Sequence, residues 1–402
     1  MISTDVTIIG AGCVGLTAAL GLAKKGISVV VLDAAQGLKT LTEPELRVSA
    51  ISSASENIFK ALDVWQHLDH SRSCAYQTMK VWEKDSFGQI EFDATDVGES
   101  RLGHIIENNN LRNALITEAQ RQSNITLLFD SPVSNIHNSE EHVLLTLSDG
   151  TPVMTKLCIA ADGANSWVRK QLNTPITFSD YDHHAIVATV KTTEAHDHCA
   201  RQVMLPDGPL ALLPMSEPNT CSIVWSSEPN HVASLLSLNE HDFACAVTAA
   251  TDSELGVVEL VSKRVSYPLT MRYAQQWVNQ RVVFMGDAAH TIHPLAGLGM
   301  NLGLLDAASL VELLDSGSLT HQSLSRVLRK YQGWRKAEAQ NYIAAMAGLK
   351  ELFSGVNPLK KIIRGIGLSL TNNISPAKTN ITQHAMGLKG NIPELARNVD
   401  PI

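Results

Sequence analysis

The sequence predicts an α/β chain with two sheet-based domains and a helical C-terminal region. Three observations lead there. Residues 4–34 run strand, helix, strand around closely spaced glycines. Two further strand-to-helix motifs stand at 157–170 and 281–306. Between them, short apolar runs at 185–191, 201–204, 210–213 and 221–226 read as strands of another sheet. With 402 residues, the chain exceeds what one hydrophobic core usually holds. Hydrophobic residues make up 44% and charged residues 18%, which excludes a disordered chain.

The first motif is TDVTIIGAGCVGLTAALGLAKKGISVVVLDA. Val6, Ile8 and Ile9 form a buried strand; Leu16, Ala19, Leu20 and Ala23 recur at helical spacing; Gly26 ends that helix. Val29 to Leu32 is the second strand, closed by Asp33. Gly10, Gly12 and Gly15 make GxGxxG, the pattern of a Rossmann-like turn. Gly10 serves the tight turn, Gly12 the approach of a pyrophosphate to the backbone, and Gly15 the close packing of helix on strand. The helix N-terminus offers free N–H groups to the phosphates, and Asp33 stands at the offset of an acid that accepts from ribose hydroxyls. This unit predicts a bound dinucleotide but does not separate NAD from FAD.

The second motif is LCIAADGANSWVRK: a strand, an Asp162-Gly163 turn and Ser166 as the cap of a helix. The third is RVVFMGDAAHTIHPLAGLGMNLGLLD. Here Val282 to Met285 is a strand, Gly286 and Asp287 turn it, and a glycine-rich stretch with Gly297, Gly299 and Gly303 opens an apolar helix. Such a stretch is a second place where backbone N–H groups face an anion or a polarised carbonyl. Asp287 is positioned to accept from a polyol.

In this order and at these separations, the three motifs resemble those of the aromatic-ring hydroxylases that use one FAD. Within them, the chain resembles the ubiquinone-biosynthesis hydroxylases. LRVSAISSAS (46–55), VWEKDSFG (81–88), GHIIEN (103–108), DYDHHAIVATV (180–190), GPLALLP (208–214) and GDAAHTIHPLAGLGMNLG (286–303) carry that likeness. It is nearest to the subfamily acting on 2-polyprenylphenols at ring carbon 5. The resemblance implies a Rossmann-like FAD-binding domain with a second β-sheet domain for substrate. It also implies monooxygenation of a polyprenylated phenol with O2, via a flavin C4a-hydroperoxide, and NAD(P)H as a transient electron donor.

By the same resemblance, Gly10, Gly12, Gly15 and Asp33 hold the ADP half, and Gly286 and Asp287 the ribityl chain. Gly297, Gly299, Met300 and Asn301 lie along the isoalloxazine. Pro294 sits at the flavin edge, Arg47 close to the cofactor, and Asp162 supports the FAD and the passing nicotinamide. No catalytic acid or base is assigned. Two positions depart from the family. Asp33 stands where relatives commonly have Glu, and Asn109 where they often have Arg; Arg112, one helical turn later, is the candidate substitute.

The motif positions divide the chain into an FAD-binding domain (1–75, 100–180 and 270–330), a substrate domain (76–99 and 181–269) and a C-terminal helical region (331–402). Residues 125–129 and 143–147, the latter ahead of the Asp149-Gly150 turn, read as further strands. Tyr342, Met346, Leu349 and Phe353 make one apolar stripe, and Leu359, Ile362, Ile363, Ile366 and Leu370 another. Packing on the chain's own domain is the simpler reading; a membrane surface or a partner protein is the other.

A net charge of −8 without a basic run excludes a nucleic-acid binder. The six cysteines (13, 74, 158, 199, 221, 245) form no CxxC pair, so no metal or disulfide framework is expected. His196-Asp197-His198-Cys199 reads as a solvated turn, His290 and His293 as flavin-side residues, and His183-His184 as the start of a strand. The N-terminus has no secretory pattern, and no apolar run reaches the roughly 18 residues of a membrane span. A cytoplasmic protein is expected, with peripheral contact to the inner face of the membrane or to a biosynthetic complex, and with a homo-oligomer left open. Two rival readings share the first motif: a flavin oxidase or dehydrogenase, and a non-enzymatic carrier of prenylated cargo.

Overall fold

The computed structural model describes residues 1–292, 298–353 and 375–397. Pro294 and Gly297 lie outside the described residues, as do His293 and the stripe from Leu359 to Leu370.

Apolar β-branched runs build an eight-stranded sheet. Strand Ile2–Ile9 lies at its centre, parallel to Val29–Leu32 on one side and to Pro152–Ala160 on the other. Ile125–Leu128 extends it beyond the first neighbour and Val282–Phe284 beyond the second, both parallel. Parallel strands covered on both faces need continuous rather than alternating apolar sequence, and Val6, Ile8, Val29 to Leu32 and Leu157 to Ala160 are all buried. Val282–Phe284, Pro152–Ala160 and Ile2–Ile9 are consecutive neighbours in this sheet. The three motifs therefore leave the same sheet edge side by side, at the carboxyl ends of its strands, where open α/β sheets bind ligands.

Helix Cys13–Lys24 packs closely on helix Leu298–Leu313, with Gly303 against Val14 and Gly21 against Val311. A Cβ on Gly303 would come 2.8 Å from Val14 and 3.1 Å from Gly286 Cα. That closeness brings the first and third motifs together.

The second sheet has nine strands, and all its pairings but Cys199–Leu205 with Thr78–Glu83 are antiparallel. Its long strand is Ile176–Thr192, between Thr220–Ser227 and Val265–Ala274. The expected strand at 185–191 is the end of this element, which starts earlier because a register shift between Asp180 and His183 lets the pairing continue. Helices Pro229–Ser237 and Glu240–Ala250 contribute Val232, Leu235, Phe243 and Val247 to its core. Three antiparallel strands, Val48–Ser52, Gly103–Glu107 and Ser73–Tyr76, form a small third sheet.

The expected boundary at 180/181 falls inside Ile176–Thr192, that at 269/270 inside Val265–Ala274, and that at 330/331 inside helix His321–Phe353. In that helix Tyr331 and Ala339 are buried in the main core, Tyr342 and Ile343 pack against it, and Met346 is buried. As far as Met346, the first apolar stripe thus faces its own domain. No described helix is long and apolar enough to cross a membrane.

Candidate functional site

The three glycines of the first turn have three different reasons. Gly10 has φ +110°, and a Cβ there would sit 2.3 Å from the Ala161 carbonyl oxygen. A Cβ on Gly15 would sit 2.1 Å from the Gly10 carbonyl oxygen. Gly12 has an ordinary φ of −78°, and a Cβ there meets no atom within 4 Å. It opens helix Cys13–Lys24 without a capping side chain, so the first-turn N–H groups and the positive helix end face open space.

Asp33 braces this turn. Its carboxylate accepts from the Ala11 N–H (2.6 Å) and the Ala35 N–H (2.7 Å). The carboxylate is thus folded back onto the backbone. Arg112 donates to the carbonyls of Ala11 (2.8 Å), Gly37 (2.5 Å) and Gln36 (2.9 Å). It clamps the two loops and brings a positive charge to the turn. Asn109 is tied by its backbone and side chain to Glu45 (2.7 and 2.8 Å).

In the second turn, one oxygen of Asp162 accepts from the Val168 N–H at 3.1 Å, while the other is buried without a hydrogen-bond partner. Ser166 caps the following helix through the Arg169 N–H, as the sequence predicts. Arg169 joins this turn to the third one, donating to Ala164 O (2.6 Å) and Ala288 O (2.8 Å).

In the third turn Gly286 has φ +55° and Asp287 is exposed. Its surface is open to solvent, yet protein crowds it closely enough to push its carboxyl above the ordinary value, against the pull of His290, Arg47 and Arg272. The Arg47 guanidinium lies over the Tyr267 ring, 5.1 Å from its centre. A Cβ on Gly299 meets nothing within 4 Å among the described residues, and Met300 packs on the core. The Asn301 side chain reaches the small third sheet: its oxygen accepts from Ser52 N–H (3.0 Å) and Ser55 Oγ–H (2.8 Å), and its amide donates to Ala50 O (2.8 Å). It fastens the glycine-rich helix to strand Val48–Ser52.

That strand is one wall of an apolar cavity of about 140 Å³, shared with the nine-stranded sheet. Val48, Ala50, Ile105 and Leu213 are among its apolar lining; Tyr76, Arg201, Gln202 and Ser226 add polar groups. Burial pushes the Tyr76 hydroxyl up to about 12, so it stays a donor at neutral pH.

His290 is a buried residue of the third turn. It turns inward, 1% exposed, against Asp306 (2.6 Å) and the ring of Trp277. Asp306 and its partner Arg335 were not read from the sequence. Asp306 closes the motif GLGMNLGLLD, but nothing marks Arg335 within its helix. The His196 turn is less solvated than expected. Burial lowers the affinity of His196 for a proton, and its ring nitrogen bonds the carbonyls of Met215 and Glu217. No cluster that could hold a metal occurs among the described residues. His183 and His184 lie in the long strand, with the His183 ring between backbone carbonyls.

Residues 3–345 match the family described as FAD binding domain. The chain is 31% identical over 392 residues to the 3-demethoxyubiquinol 3-hydroxylase of Escherichia coli K12, covering 96% of this chain and 99% of that one. To the ubiquinone hydroxylase UbiL of Rhodospirillum rubrum it is 33% identical over 401 residues, covering 98% and 93%. To the human mitochondrial ubiquinone biosynthesis monooxygenase COQ6 it is 32% identical over 434 residues, covering 95% and 92%. In fold it is similar to p-nitrophenol 4-monooxygenase PnpA of Pseudomonas putida DLL-E4, with a TM-score of 0.77 at 18% identity over 97% of this chain and 100% of that one. The Diels-Alderase PyrE3 has a similar fold (TM-score 0.74, 20% identity, 96% and 81% covered), so the fold does not by itself fix the reaction.

Proposed function

The chain belongs to the FAD binding domain family as an FAD-dependent monooxygenase, and on that premise we propose that it hydroxylates the ring of a polyprenylated phenol in ubiquinone biosynthesis. The observation that carries the substrate reading is the cavity of about 140 Å³. An apolar cavity of roughly 150 Å³ takes up benzene, so this one suits a single aromatic ring and not a polyprenyl tail. It adjoins the proposed flavin site through strand Val48–Ser52, which lines the cavity and holds Asn301 at the start of the glycine-rich helix. A tail left outside needs apolar surroundings, which supports peripheral contact with a membrane or a partner surface.

The residues present fit FAD. Gly12 leaves room for a group close to the backbone, Asp162 keeps a buried oxygen without a partner, and Asp287 offers an open carboxylate. In this reading Gly10, Gly12, Gly15 and Asp33 shape the ADP site, Asp287 takes the ribityl hydroxyls, and Gly299, Met300 and Asn301 form the backbone beside the ring system. Pro294 and Gly297 belong to the same proposal. FAD, when bound, supplies the redox chemistry and the activation of O2.

The chain's own residues do the rest. The apolar lining excludes water from the reacting ring. The Tyr76 hydroxyl donates to the phenol oxygen, and Gln202 and Ser226 orient the ring's other polar groups. A groove of about 330 Å³ beside the Asp162 turn, lined by Arg169, Lys170, Arg272 and Phe178, gives a passing pyridine nucleotide cations for its phosphates and an apolar face for a ring. The test is product analysis: purified protein with FAD and NADPH should add one hydroxyl to a short-chain prenylphenol. The position of that hydroxyl names the ring carbon. NADPH oxidised and O2 reduced to peroxide alone, with the phenol bound but unchanged, would favour the oxidase.

A further inference from the structure

The turn that presents Asp287 has an anchor at each end, and both are the same carboxylate. Asp306, fully buried on helix Leu298–Leu313, accepts from the Gly286 N–H at 3.1 Å and from His290 Nε2 at 2.6 Å through one oxygen. Its other oxygen accepts from Arg335 Nε at 2.7 Å. Arg335 stands on helix His321–Phe353 and is itself 2% exposed. One helical turn earlier, the Tyr331 hydroxyl donates to Phe284 O, at the end of the strand leading into the turn. The His290 ring is also backed by Trp277, with 5.0 Å between ring centres.

A buried ion pair is an expensive way to hold a core together, since apolar residues of equal volume often do as well. Packing alone therefore does not account for this one. Its geometry does something an apolar pair cannot: it fixes the backbone at 286 and the ring at 290, with Asp287 between them. Resting on the reading of Asp287 as an FAD ligand, we infer that Asp306, His290 and Arg335 are positioning residues. They set the orientation of the Asp287 turn for the cofactor, and the long C-terminal helix takes part in the flavin site through them.

The experiment uses the full chain. Flavin fluorescence titration gives the Kd for FAD, the visible spectrum reports the surroundings of the bound flavin, and thermal melting of the flavin-free protein reports the fold. The double variant Asp306→Leu/Arg335→Met removes both charges together, leaving no lone buried ion. It should melt close to the wild type, bind FAD on the order of tenfold more weakly, and shift the flavin spectrum. His290→Phe keeps the ion pair and the ring packing on Trp277, and loses the bond to Asp306 together with the imidazole's pull on the Asp287 carboxyl. It should weaken FAD binding by several-fold, and it carries the test if the double variant does not fold. A folded variant with unchanged Kd and spectrum would overturn the inference and leave the FAD reading intact. A wild-type chain that takes up no FAD would overturn that reading and the inference with it.

Discussion

Replacing Gly12 by valine separates what the fold needs from what the cofactor needs. At Gly10 and Gly15 an added Cβ collides with backbone 2.3 and 2.1 Å away, so substitution there damages the fold itself. At Gly12 the φ is −78° and an added Cβ meets nothing within 4 Å. The cost to the flavin-free protein is then that of a poor helix cap, about 1 kcal/mol. In a chain of this size that lowers the melting temperature by only about 1–2 °C. A bound pyrophosphate loses more, because the valine methyls stand between it and the first-turn N–H groups. Each charge-assisted hydrogen bond lost is worth about 1.5–3 kcal/mol, so affinity should fall by at least roughly ten- to a hundredfold. Fluorescence titration of FAD into wild type and variant, beside their melting curves, reads both numbers. A Gly12→Val protein that binds FAD as tightly as the wild type would refute the placement of the pyrophosphate. A collapse of the flavin-free fold would refute the claim that this glycine serves the ligand alone.

Asp287→Ala should fold and bind FAD roughly ten- to a hundredfold more weakly, by loss of one charge-assisted bond; an unchanged Kd ends its ribityl role. Crowding raises the Asp287 carboxyl above its ordinary 3.8, so ionising it disfavours the flavin-free fold. The stability tied to this group is fully present below that value and is lost as pH rises through the raised one. Asp287→Asn should remove that decline, and parallel stability-versus-pH curves for the two proteins would show the cause to lie elsewhere. Tyr76→Phe should leave FAD binding untouched and lower kcat/KM for the phenol by roughly two- to tenfold, the worth of one neutral hydrogen bond. Ala211→Trp fills the cavity, so phenol-dependent NADPH oxidation should vanish while FAD stays bound; undiminished turnover would put the ring somewhere else.

Local patterns made much of this legible in the sequence. The strand, helix and strand around Gly10 to Leu32 obey short-range periodicity, and the Ser166 cap is a side chain bonding three residues on. What depends on distant partners was not legible. Asp306 and Arg335 are 29 residues apart on different helices, and only packing brings them together. The motif around His290 does not show that the turn directs its ring into the core against Asp306. Asn301 sits where expected along the chain, yet its side chain serves strand Val48–Ser52, a partner some 250 positions away. Nor did any pattern show the Asp33 carboxylate folded back on the Ala11 N–H, a bond set by how the turn closes. The cavity is a property of two sheets facing each other, which no single segment encodes.

The central claim is oxygen insertion into a prenylated phenol, and the most direct measurement follows the oxygen atom. The purified chain, loaded with FAD and supplied with NADPH and a short-chain prenylphenol, is run under isotopically labelled O2. Mass spectrometry of the product should find one labelled oxygen in a new ring hydroxyl, and none when the label is carried by water. Label arriving from water, or no hydroxylated ring while labelled peroxide accumulates, would contradict the account.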